Sequence, residues 1–172
     1  SYVGGIVGRN QGASRITNCV NTGVAAGYGS YIGGIVGANI AAGTIAPTIR
    51  NCASYISDTD NRIYKMVLGW QAVGSYAGGL VGYNSGNIEF TGTDNPITTR
   101  SVAGIVVGRD YVGGLVGFND ISGRISVEYT LIGGRVWASG DCVGGLIGLN
   151  ASETLLTQRL TVQPASVQGR YY

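Results

Sequence analysis

YVGGIVGRN, residues 2–10, decides how this chain is read, because near-copies of it return four times. YIGGIVGAN begins at Tyr31, YAGGLVGYN at Tyr76, YVGGLVGFN at Tyr111 and CVGGLIGLN at Cys142. The starts at 2, 31, 76, 111 and 142 give steps of 29, 45, 35 and 31 residues. Recurrence in that range is the mark of a solenoid or array.

Each unit is rich in Val, Ile and Gly, with apolar or bare positions on both alternating faces, so it reads as a strand buried on both sides. Paired glycines beside β-branched residues speak against a helix. Glycine makes up 31 of the 172 residues, and fifteen of those fall at three fixed places in the five units. Glycine in a regular element costs roughly 0.5–1 kcal/mol relative to Ala, so the fixed places require the absence of a side chain, which lets neighbouring backbones approach closely.

A second apolar segment follows each unit, around Ile16, Ile49, Ile88, Ile125 and Leu156, and a third precedes the next unit. Three short strands per repeat with glycine-bearing corners predict an all-β fold, a parallel β-helix (β-solenoid) of about five coils, stacked to about 24 Å. The array occupies 1–172 as a single domain, and its longest insertion is residues 53–75.

Every unit ends in asparagine: Asn10, Asn39, Asn84, Asn119 and Asn150. Stacked in register, the five amides would form a ladder along the axis and would suit left-handed corners. Cys19 and Cys52 follow the first two units at one repeat position. Neighbouring coils would bring them within disulfide range, though parallel side chains make the geometry marginal, so a bridge and two buried thiols both stay open. Cys142 stands where the other units carry Tyr and reads as a core residue.

The units and the segments ITNC and IRNC resemble the GLUG repeat, named for the Gly-Leu-(Val/Ile)-Gly seen at Gly79, Gly114 and Gly145. The resemblance implies a β-helical stalk in a large secreted or surface-anchored bacterial protein, such as a filamentous haemagglutinin-like adhesin or the noncatalytic part of an immunoglobulin A peptidase. It implies an extracellular or cell-surface location and carries no activity with it.

The chain has no histidine, which removes His-based triads, Cys-His dyads and HExxH zinc sites. No phosphate-loop ending follows the glycines, and no calcium-roll spacing is present, so neither cofactor nor metal is expected. A net charge of +2 gives no basic face for nucleic acid, and the charge-free stretch 16–49 is too rich in Gly and Ala, and too broken by turns and Pro47, to insert in a membrane. Insertions mark the binding face of solenoids, so Tyr55, Asp58, Asp60, Arg62, Tyr64 and Trp70 are the candidate binding residues.

The expected protein is therefore not an enzyme but a stalk or adhesive scaffold. Its partners would be further segments of a longer array, with a host glycan or protein as ligand. Two alternatives stand beside it. Both ends share one repeat phase, which suits a subunit stacking head to tail into a filament. Asp58 and Asp60 on one strand face suit a carbohydrate-binding or carbohydrate-active β-helix.

Overall fold

The computed structural model describes residues 1–28, 30–54, 66–69, 76–90, 105–128, 131–153, 155–158 and 161–168. Among them there is no helix, and every pairing between named strands is parallel. Four sheets of five strands each run through the molecule, with one strand from every repeat in each sheet. The architecture is a parallel β-solenoid.

The expectation of three strands per coil is corrected here to four sheets, because each nine-residue unit is two strands rather than one. The first sheet holds Tyr2–Gly4, Tyr31–Gly33, Tyr76–Gly78, Tyr111–Gly113 and Val143–Gly144. The second holds Val7–Gln11, Val36–Ile40, Val81–Asn84, Val116–Asn119 and Ile147–Asn150. Between them the chain bends sharply at the second glycine of the pair and the residue after it. The unit is thus an arch whose two legs belong to different sheets.

Glycine makes that arch possible by letting the legs touch backbone to backbone. A Cβ placed on Gly33 would lie 2.0 Å from the Val36 carbonyl oxygen, and one on Gly78 would lie 1.9 Å from that of Val81. On the other leg, a Cβ on Gly82 would meet the Ile32 nitrogen at 2.6 Å and the Gly37 oxygen at 2.7 Å, both in the preceding rung. Side chains ordinarily hold stacked sheets about 10 Å apart. Here that layer is deleted.

Two separate cores flank the arch. Between the second and third sheets, Ile35, Val36, Leu80, Val81, Leu115 and Val116 pack on Ile16, Ile49, Ile88 and Ile125. Between the first and fourth, Ile32, Ala77 and Val112 pack on Val106, Val136 and Ala138. Full burial of such side chains stabilises by roughly 1.5–3 kcal/mol each, so the repeated apolar columns carry the fold.

The third sheet consists of Arg15–Thr17, Thr48–Arg50, Asn87–Phe90, Arg124–Glu128 and Leu155–Gln158. Ile16, Ile49, Ile88 and Ile125 stand opposite one another, and the next residue in that column is Leu155 rather than Leu156. A slip of one residue reverses the face presented, which makes the difference structural. The fourth sheet consists of Ala25–Gly27, Met66–Gly69, Ile105–Gly108, Leu131–Ala138 and Thr161–Gln168. A further two-stranded pair, Val20–Asn21 with Ala53–Ser54, lies by the bend of the arch.

Candidate functional site

The asparagines at the foot of the second sheet form one continuous column. Asn10 Nδ2 donates to Asn39 Oδ1 at 2.8 Å, Asn39 to Asn84 at 2.9 Å, Asn84 to Asn119 at 2.8 Å and Asn119 to Asn150 at 2.8 Å. Asn39, Asn84 and Asn119 are fully buried. Burial without partners would cost about 1–3 kcal/mol per group, so the column satisfies itself internally. These residues do not supply left-handed corners: among the described residues the non-glycine positive φ angles fall at Asn18, Asn51 and Cys142.

Cys19 and Cys52 stack on neighbouring rungs without a bridge, and all three cysteines are free thiols. The reason is that the two side chains repeat one geometry instead of turning toward each other. Cys19 Sγ donates to the Thr17 carbonyl at 3.3 Å, and Cys52 Sγ to that of Arg50, also at 3.3 Å. The Cys19 N–H is directed at Cys52 Sγ, 3.4 Å away. Burial is the main cause that pushes the Cys52 thiol up to about 11. Cys142 is exposed, not in the core, because the position it occupies faces outward in every rung.

Asn21 donates to the Gly34 carbonyl at 2.5 Å, closing the bend of the next arch. Its counterpart one rung on is Ser54, only 2% exposed, whose hydroxyl finds no hydrogen-bond partner among the described residues. Tyr55, Asp58, Asp60, Arg62, Tyr64 and Trp70 lie outside the described residues.

The most distinctive surface is an aromatic strip where the two legs of the arch open. Tyr2, Tyr31, Tyr76 and Tyr111 stack with centroids 5.1, 5.0 and 4.9 Å apart and planes within 10° of parallel. Beside them the eighth residue of the unit makes a second column, in which Tyr83 and Phe118 stack at 5.7 Å and meet the first column edge to face. Arg9 takes that place in the first rung, its guanidinium carbon 5.4 Å from the centroid of the Tyr2 ring. The Tyr83 hydroxyl donates to Asp120 Oδ2 at 2.5 Å. Burial foremost, then this bond to a carboxylate, raises the Tyr83 phenol well above its ordinary range. Tyr76 is raised as well, by burial and then by its ring neighbours Tyr31 and Tyr111.

The first column follows from a tyrosine that opens four of the five units. The second sits at a position occupied by Arg9, Ala38, Tyr83, Phe118 and Leu149, too varied to signal a shared role in the sequence.

A parallel β-solenoid whose rungs repeat one glycine-closed arch is a repeat scaffold. Residues 1–25 match the model of the GLUG motif, a span that takes in the first arch, Asn10, Ile16, Cys19 and Asn21. The chain therefore carries a GLUG motif, and its arch recurs in register through four further rungs. No curated protein and no solved structure matches the chain.

Proposed function

We propose that this chain is a noncatalytic stalk or adhesive scaffold of a secreted or surface-anchored bacterial protein. The observation that carries the reading is the in-register stacking of like residues, Gly on Gly and Asn on Asn through all five rungs and Tyr on Tyr through the first four. Such stacking invests the sequence in a stiff rod and, among the described residues, leaves side chains in columns. The surface location rests on the GLUG motif at residues 1–25 and on what that resemblance implies.

Immunogold labelling of intact and permeabilised cells with antibody against this chain tests the proposal. Label on intact cells is expected. Label that appears only after permeabilisation overturns it.

A further inference from the structure

We propose that the aromatic strip is a track for an extended, neutral β-1,4-linked glycan lying along the solenoid axis, one sugar to a rung. Both hydrophobic cores are complete without these rings: neither contains Tyr2, Tyr31, Tyr76, Tyr111, Tyr83 or Phe118. Tyr2 is 40% exposed, and the other five are partly exposed. Large rings kept at the surface in a continuous row, when the interior does not need them, are a recognition feature.

The spacing selects the ligand. The tyrosines repeat every 4.9 to 5.1 Å, so a polymer with one unit to a rung advances by that distance per unit. An extended peptide advances about 3.3 Å per residue and would fall out of step at once. A nucleic acid strand would demand a basic stripe, and the net charge of +2 is spread over eleven basic and nine acidic residues. A pyranose built from single bonds of about 1.5 Å spans about 5 Å between its 1 and 4 oxygens, so an extended chain of them keeps step with the rungs.

The chemistry fits as well. The tyrosine faces are turned to one another along the row, so a ligand on the strip meets ring edges and phenol hydroxyls, groups that donate to and accept from the hydroxyl fringe of each sugar. Arg9 beside Tyr2 and Asp120 on the Tyr83 hydroxyl supply the few charged groups that fix orientation at the margins. Since Cys142 replaces Tyr in the fifth unit, the first column is four phenols long.

Titration calorimetry with cello-oligosaccharides of two to six sugars tests this. Affinity should climb with length up to about four sugars and then level off, and maltohexaose, which coils, should not bind. Tyr76→Phe keeps the stack and loses one hydroxyl, so cellohexaose should bind about fivefold more weakly, the loss of about one net hydrogen bond. Trp137→Ala, on the fourth sheet, should leave binding unchanged. No binding of cellohexaose, equal affinity for cellobiose and cellohexaose, or equal affinity for maltohexaose overturns the proposal. So does a Tyr76→Phe variant that binds cellohexaose as tightly as the parent.

Discussion

Gly78→Ala adds one methyl group at the point where the legs of the arch are closest. The new Cβ would sit 1.9 Å from the Val81 oxygen, 2.7 Å from the Val81 carbonyl carbon and 2.8 Å from the Gly117 nitrogen. Ordinary contact begins near 3.4 Å, so the legs must part by about 1.5 Å, and backbone cannot rotate aside as a side chain can. Parting strains the bonds that tie this bend to its neighbours, among them Leu80 N–H to Leu115 O at 2.9 Å and Ile35 N–H to Leu80 O at 2.9 Å. Losing about three such bonds at a net of about 1 kcal/mol each, with about 1–3 kcal/mol of overpacking, destabilises by about 4–6 kcal/mol. That is a large part of the 5–15 kcal/mol typical of a domain.

The sign is the diagnostic, because Gly→Ala in an ordinary strand stabilises by roughly 0.5–1 kcal/mol. Gly12 separates space from conformation: its φ is +70° and nothing lies within 4 Å of a Cβ there. Gly12→Asn, a residue that tolerates the left-handed region, should shift stability by no more than about 0.5 kcal/mol. Urea denaturation followed by far-UV circular dichroism, with amide exchange of the neighbouring rungs, measures both variants. If Gly78→Ala is as stable as the parent, the two legs do not touch and the account of the arch is wrong.

Other outcomes follow from the columns. Asn84→Ala removes the acceptor for Asn39, the donor to Asn119 and the bond to the Gly86 carbonyl, and should cost about 3–5 kcal/mol in urea melts. Asn150→Ala, on an exposed residue where water substitutes, should cost less than about 1 kcal/mol. Ser54→Asn places an amide where Asn21 has one and should stabilise by about 1 kcal/mol, read as a raised midpoint. A lowered midpoint there would mean that the bend of the third arch has no free acceptor.

Alkaline pH should unfold the protein through raised acids. Cys52, Tyr76 and Tyr83 favour their neutral forms when folded, so their contribution is intact below the unfolded values. For Cys52 it should fade between about 9 and about 11, with the tyrosines following at higher pH. Thiol labelling with pH-jump melts checks this: Cys142 should react at once, and Cys52 should stay protected until the chain opens.

Much of this architecture was legible because repeats report on register. Tyr31 opposite Tyr76 and Asn39 opposite Asn84 follow once identical units are stacked. The two legs were not legible, since a strand and an arch can share one alternating string. What distinguishes them is which glycine meets which carbonyl, a contact between residues three apart that composition does not express. The cysteine geometry was hidden for a similar reason: repeat position brings Cys19 near Cys52, but each thiol is held by the carbonyl two residues before it. The aromatic strip was half visible, in the tyrosines that open the units. Its second column draws on a variable position, which acquires meaning only when Tyr83 and Phe118 come to lie on adjacent rungs.

The file of asparagine amides has a sense of direction, since each NH₂ points to the oxygen of the following rung. Reversing any one amide would set nitrogen against nitrogen on one side and oxygen against oxygen on the other. None can turn alone, and turning all five together would set amide oxygens against the backbone carbonyls that now accept from them. Neighbouring backbone selects the setting at each rung: the Pro47, Gly86, Gly123 and Ser152 carbonyls accept from Asn39, Asn84, Asn119 and Asn150 Nδ2, and the Ser14 hydroxyl donates to Asn10 Oδ1. The polarity of the row is thus written into the backbone beside it, one carbonyl to a rung, and a change at either end leaves the inner amides as they are.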